Sequence, residues 1–131
     1  KSSLGFVEAF FLGILCNILV CLAVWLCLGA RSTTDKIAAL LFPITAFVAA
    51  GFEHSVANMY FVPLGLAIRS IDPAFAAAHG GNLQTLTVEN FLVFNLLPVT
   101  AGNIVGGTVF VAAVYWVIFL RSPRAPGPDA R

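Results

Sequence analysis

The sequence predicts an all-α membrane protein with three transmembrane helices, the second of them broken. Hydrophobic residues make up 60% of the 131 residues and charged residues only 10%, and the mean hydropathy is +0.95. A soluble domain carries about 25% charged residues, because its surface must be wetted. Long runs without a charged side chain alternate here with short polar segments, which indicates helices that use lipid as their solvent.

The first predicted helix covers about residues 3–30. Residues 9–30 within it contain no charged side chain, and about 20 apolar residues cross a hydrocarbon core about 30 Å thick. The polar segment RSTTDK, residues 31–36, follows as a short turn. We expect Asp35 in this turn to cap the next helix.

The second predicted helix, about residues 36–68, is interrupted only by the polar pair Glu53 and His54. As one straight helix it would measure about 50 Å at about 1.5 Å per residue, which is too long for ordinary tilt. Gly51 ends the small-residue run AAG directly before this pair, which suits an unwound stretch. The sequence therefore predicts a break near residues 47–52.

A polar connection, residues 69–89, leads to the third predicted helix within residues 90–120, and residues 122–131 form a Pro-rich basic tail. The cations on the side of the first polar turn and the tail are Arg31, Lys36, Arg121, Arg124 and Arg131. The opposite side has Lys1 and Arg69. Because positive charge marks the cytoplasmic side, we expect the turn and the tail to be cytoplasmic.

Several classes of function are disfavoured by composition. The net charge is only +1, and no basic patch suggests a nucleic-acid partner. The three cysteines lie in one apolar run without CxxC spacing, which argues against a disulfide framework and a zinc site. We therefore expect no metal and no cofactor.

Three polar side chains stand out within the second helix. Ionisable residues at membrane depth are costly, so they face a cavity or a partner. On a regular helix, Glu53 and His54 would point about 100° apart, whereas His54 and Asn58, four residues apart, share a face. We therefore predict that His54 and Asn58 line a cavity and that Glu53 accepts hydrogen bonds from backbone donors.

Other features support a cavity at the break. A half-helix beginning near Phe52 would direct free N–H groups toward the gap, which is a natural anion site. Phe47 and Phe52 flank the break and are either hydrophobic gates or core residues. Asn17 and Asn103 suit interhelical hydrogen bonds, and the GxxxG that begins at Gly102 permits close helix contact.

Three segments, FVEAFFLGILCNILVCLAVW, GFEHSVANMYFVPLGL and NLLPVTAGNIVGGTVF, together resemble the C-terminal half of a formate/nitrite transporter. The resemblance covers nearly all of residues 1–120, and the chain begins without Met, so we expect a fragment of a longer polypeptide. Residues 1–121 would form half of an aquaporin-like protomer of six helices, completed by the missing N-terminal half. The resemblance also implies a homo-pentamer in the inner (plasma) membrane with a cytoplasmic C-terminus.

The resemblance implies a role for individual residues. His54 matches a central pore histidine, Asn58 a neighbouring pore asparagine and Phe47 an aromatic side chain of a hydrophobic constriction. Lys1 stands at the spacing of a pore-associated lysine whose charge attracts the anion. The residues expected to support the pore are Glu53, Asn17, Gly51 and Asn103.

The function expected from this resemblance is a channel for small monovalent anions, formate first, with nitrite and hydrosulfide as alternatives. The anion would pass a pore lined by His54 and Asn58, either as the ion or as the neutral acid, without catalysis. Two other classes stay open. One is a haem-binding redox subunit with His54 and His79 as ligands. The other is a structural or assembly membrane protein, which predicts no flux and tolerance of changes at Asn58.

Overall fold

The computed structural model describes residues 3–121, in which five helices follow one another along the chain. They are α1 (Phe6–Gly29), α2 (Thr33–Ala49), α3 (Ser55–Ile71), α4 (Pro73–His79) and α5 (Asn90–Leu120). The predicted site residue Lys1 and the predicted tail, residues 122–131, lie outside the described residues. Helical structure therefore dominates the part of the chain that is described.

Two of these helices, α1 with 24 residues and α5 with 31, are long and apolar enough to cross a membrane. Where the sequence predicts one broken helix, the structure has two helices of 17 residues, α2 and α3. Residues 50–54 join them. α5 contains wide turns with i→i+5 hydrogen bonding at both ends of the regular α-helical segment Leu97–Val105.

Helix α2 begins with a capping box at the polar turn. The N-cap residue is Ser32, whose hydroxyl accepts from Asp35 N at 3.1 Å, and Asp35 Oδ2 accepts from Ser32 N at 3.1 Å. Asp35 therefore occupies the third helical position and not the cap that the sequence predicts. The two residues satisfy each other's backbone donors, which is why the helix starts here.

Glycines allow α1 and α5 to approach closely. A Cβ atom on Gly102 would overlap the carbonyl oxygen of Phe10, and one on Gly106 would lie 2.5 Å from the carbonyl oxygen of Ile14. Gly13 makes a similar close approach from the α1 side. The close helix contact predicted from the GxxxG sequence is therefore confirmed.

Replacing Gly102 by alanine is expected to destabilise the native protein by about 2 kcal/mol, since the α1 backbone must move away from the new methyl group. Thermal unfolding in detergent, followed by circular dichroism, measures this loss. The control is Gly65→Ala in α3, where a Cβ would lie 3.6 Å from the Leu86 side chain, an ordinary contact. Equal loss in both variants would contradict the prediction.

The interior of this bundle is unusually polar. The buried polar side chains are Glu53, Ser55, Asn58, Asn95 and Asn103. Many large apolar side chains are exposed instead, among them Phe42 at 77% and Ile71 at 83%. Apolar surface of this extent indicates contact with lipid or with other protein. The buried polar cluster is therefore the candidate functional site.

Candidate functional site at the break between α2 and α3

Helix α2 ends in a Schellman motif. Gly51 has φ +70°, in the left-handed region that favours glycine. Phe52 N donates to Phe47 O at 3.0 Å and Gly51 N donates to Val48 O at 3.1 Å, which is the bond pair of this motif. Gly51 lies one position past the C-cap, Ala50. The break covers residues 50–54, so it begins three residues later than the predicted range, 47–52.

His54 begins helix α3 as its N-cap. Its backbone is extended, with φ −114° and ψ 118°, and its Nδ1 accepts from Ala57 N at 3.4 Å. Because Nδ1 acts as an acceptor, the ring proton belongs on Nε2. The half-buried ring stacks on Phe47 across the break, with ring centroids 5.9 Å apart and planes at 28°. The break therefore juxtaposes an aromatic ring and an imidazole.

The prediction that His54 and Asn58 line one surface is wrong in the structure. Asn58 is fully buried, and its Nδ2 donates to Glu53 Oε2 at 2.6 Å and to Asn95 Oδ1 at 2.8 Å. The rule that residues four apart share a face holds only within a helix, and His54 lies outside α3. Glu53 and Asn58 are joined instead, and His54 is separate.

Glu53 is an acceptor, as the sequence predicts, but two of its donors are side chains. Glu53 is 2% exposed, and its Oε2 accepts from the side-chain amides of Asn58 and Asn95, at 2.6 and 3.1 Å. The sequence predicts backbone donors. Side-chain amides of α3 and α5 meet the carboxylate because Glu53 lies in the break, outside a regular helix, and its carbonyl is bonded to Asn103 of α5. Glu53 is thus an acceptor at the centre of a polar cluster.

Asn103 forms hydrogen bonds with α1, with the break and with the start of α3. Its Nδ2 donates to Gly13 O in α1 at 2.8 Å and to Glu53 O in the break at 3.0 Å. Its Oδ1 accepts from Ser55 N and Ser55 Oγ, both at 3.0 Å. Asn17 Nδ2 donates to Asn103 O at 2.6 Å, so the interhelical hydrogen bonds predicted for both asparagines are present.

Three of the N–H groups at the start of α3 already have acceptors within the protein. Ser55 N donates to Asn103 Oδ1, Ala57 N to His54 Nδ1 and Asn58 N to His54 O. These three groups are therefore not free to bind an anion, in contrast to the expectation from the sequence. Buried backbone donors must be paired, and the protein itself supplies the acceptors here.

Asn95 is not among the site residues that the sequence predicts. This side chain is 0% exposed and bonds both Glu53 and Asn58. A signal was present, since Asn95 lies within the apolar segment NFLVFNLLP of the third predicted helix, as Asn17 does in the first. An amide surrounded by apolar residues at membrane depth indicates a polar partner.

The two proposed haem ligands lie far apart. His54 precedes α3 and His79 ends α4, so the 17 residues of α3 separate them by about 25 Å along the chain. The 7 residues of α4 span only about 10 Å, which is too short to bring His79 back. His79 is exposed and stacks on Phe75, with centroids 4.4 Å apart. The structure therefore argues against a haem held by this pair.

Comparisons with known proteins agree on one family. The formate/nitrite transporter family profile matches residues 1–117. Formate channel FocA of Escherichia coli (strain K12) is 51% identical over 120 residues, which is 88% of this chain and 42% of that protein. Formate-nitrite transporter 3 of Toxoplasma gondii is 37% identical over 119 residues, 91% of this chain and 21% of that protein. The chain thus spans less than half the length of these relatives.

Solved structures show the same likeness. A pentameric formate channel with formate bound has a TM-score of 0.80 and 50% identity, over 92% of this chain and 49% of that one. An FNT family ion channel has a TM-score of 0.71 and 36% identity, over 89% of this chain and 41% of that one. Two apolar helices of membrane-crossing length accompany these matches. The chain is a membrane protein that belongs to the formate/nitrite transporter family.

Proposed function

We propose that this protein is a subunit of a membrane channel for small monovalent anions, formate first, with nitrite or hydrosulfide as alternatives. The observation that carries the proposal is the half-buried His54 ring at the break of a membrane helix, stacked on Phe47. With Nδ1 bound to Ala57 N, the ring has an Nε2–H donor for an anion. The names of the relatives, formate channel and formate-nitrite transporter, support the same reading.

The proposed architecture has three membrane crossings, α1, the α2–α3 pair and α5. Residues 1–121 would form half of an aquaporin-like protomer of six helices, and an N-terminal half of the same protomer would complete the pore wall. The exposed apolar side chains on α2 and α3 support such a partner. A homo-pentamer is supported by the solved relative described as pentameric.

The proposed orientation places the protein in the inner membrane with the α1–α2 turn inside. Arg31 and Lys36 mark that turn, and Arg121 follows α5. The positive-inside rule supports a cytoplasmic location for this side and for the tail at residues 122–131.

The proposed mechanism addresses the cost of dehydrating the ion. A bare carboxylate loses its water at the apolar Phe47 constriction, which is costly without a compensating charge or hydrogen bond. Lys1 would draw the anion in, and His54 would donate its Nε2–H to it in a hydrogen bond. Passage as the neutral acid would need a proton taken up from the aqueous side, because a neutral imidazole does not give its N–H proton to a carboxylate. Protonation of His54 at Nδ1 breaks the bond from Ala57 N and places a cation at the N-terminus of α3, where the helix dipole disfavours it. The cap therefore favours His54 as a neutral donor between passages.

The test of the proposal is His54→Phe, with formate flux into liposomes measured against external pH in the native protein. We expect flux to fall at least about tenfold, the loss of about 1.4 kcal/mol of barrier stabilisation, and its pH dependence to flatten. His79→Phe is the matched control, because His79 is exposed on α4. Unchanged flux and pH dependence would remove His54 from the mechanism. A native protein that carries no formate at all would favour a structural role.

A further inference from the structure

Asn95 occupies an unusual stretch of α5. It lies near the end of the wide-turn segment Asn90–Leu96, whose hydrogen bonds run from i to i+5. Pro98, which follows within the first turn of the regular segment, has no N–H to donate to the preceding turn. Wide turns of this type occur frequently at functional sites. Here the turn presents a fully buried amide to the break between α2 and α3.

Three side chains close a ring of hydrogen bonds at this point. Asn95 Nδ2 donates to Glu53 Oε2 at 3.1 Å, and Asn95 Oδ1 accepts from Asn58 Nδ2 at 2.8 Å. Asn58 Nδ2 also donates to Glu53 Oε2 at 2.6 Å. Turning either amide over would place an amide oxygen against the carboxylate. The ring therefore fixes the orientation of all three side chains.

Two side chains of α5 donate hydrogen bonds to Glu53. Asn103 Nδ2 donates to its backbone carbonyl oxygen at 3.0 Å, and Asn95 Nδ2 donates to its carboxylate at 3.1 Å. The next residue, His54, has an extended backbone outside the helix. The place of the His54 ring against Phe47 therefore depends on two contacts, its own cap on the first turn of α3 and the bonds that fix its neighbour Glu53.

We propose that Asn95 is a positioning residue of the pore, which fixes the Glu53 carboxylate and through it the backbone that presents His54 to the permeating anion. This inference rests on the channel function proposed above. It assigns a transport role to a residue of α5 whose side chain bonds Glu53 and Asn58. A packing role alone would make Asn95 replaceable by a residue of similar shape.

The electrostatics of the ring provide a specific test. Within residues 3–121, Glu53 is the ionisable group of the ring and His54 is the next one along the chain. The α1 residues at this level, Leu12 and Gly13, carry no ionisable side chain. Asn95→Asp places a second carboxyl beside Glu53. When the pair shares a proton, an O–H can replace the amide donor, whereas two ionised carboxylates repel each other.

The experiment measures formate flux into liposomes against external pH for the native protein and for Asn95→Asp and Asn95→Leu. We expect the formate flux of Asn95→Leu to be at least about tenfold below the native flux at every pH, while the variant assembles normally as judged by size-exclusion chromatography. The formate flux of Asn95→Asp should approach the native flux in acid and fall at least about tenfold below it as the pH rises. Asn90→Asp is the matched control on the same helix, because Asn90 Nδ2 bonds the nearby Thr85 O, at 2.9 Å, and not the ring. It should follow the native pH profile.

Each outcome decides the inference. Native flux from Asn95→Asp at all pH values overturns it, and so does an equal loss at all pH values, which indicates packing alone. If Asn95→Leu fails to assemble, the pH profile of Asn95→Asp decides, and failure of that variant to assemble even in acid also overturns the inference. Absence of flux from the native protein overturns the channel proposal instead.

Discussion

Replacing Asn103 by leucine is expected to destabilise the native protein by about 3 kcal/mol. The substitution removes a side chain that bonds Gly13 O, Glu53 O and both the N–H and the hydroxyl of Ser55. Each buried group left without a partner costs about 1 kcal/mol or more, although membrane proteins recover part of it. Leucine has the same number and branching of side-chain heavy atoms as asparagine, so it is the nearest apolar replacement in shape, although it is bulkier.

Thermal unfolding of the purified protein in detergent measures this loss, and gel filtration reports whether the oligomer persists. Asn90→Leu is the matched control, since it makes the same chemical change on the same helix where the side chain bonds only the adjacent loop. We expect its midpoint to stay close to that of the native protein. Equal midpoints for the two variants would show that the Asn103 bonds do not hold the break against α1.

Replacing Phe47 by alanine is expected to relax the selectivity of the proposed channel. The Phe47 ring stacks on His54, and in the proposed channel it would narrow the path at the break. If passage of a larger ion such as butyrate is opposed there by about 3 kcal/mol, removing the ring speeds it roughly 100-fold. Formate, which is smaller, should gain much less, so the ratio of the two fluxes changes.

Liposome uptake of formate and butyrate, measured in parallel, gives this ratio. Phe42→Ala is the control, because Phe42 lies on the same helix α2 but is 77% exposed on its surface. It should leave the ratio as it is in the native protein. A Phe47→Ala protein that still excludes butyrate would mean that the constriction lies elsewhere.

The helices and the break were accessible from sequence because they depend on local properties. The charge-free run before residue 30 predicts α1, and the AAG run ending at Gly51 predicts the interruption that the structure has at residues 50–54. Hydropathy and a glycine's tolerance of positive φ act over a few neighbouring residues. The predicted cap, Asp35, lies three residues after the observed N-cap, Ser32. Such local signals therefore locate the end of a helix only to within about one turn.

The partners of the polar side chains were not accessible in this way. Asn58 meets Asn95 across 37 residues of sequence, and Asn95 meets Glu53 across 42. Nothing in the local pattern states which turn of α5 faces the break. Helical geometry, applied to His54 and Asn58 as though both were in one helix, joined the wrong pair.

The sequence by itself determined that this protein uses lipid as its solvent, where its helices run and where one of them is interrupted. The tertiary structure alone decided that Glu53, Asn58 and Asn95 form one ring of hydrogen bonds and that His54 stands apart against Phe47. The physical reason is that burial in lipid and backbone preference are properties of short segments. A hydrogen-bond partner, in contrast, is set by how closely distant helices pack.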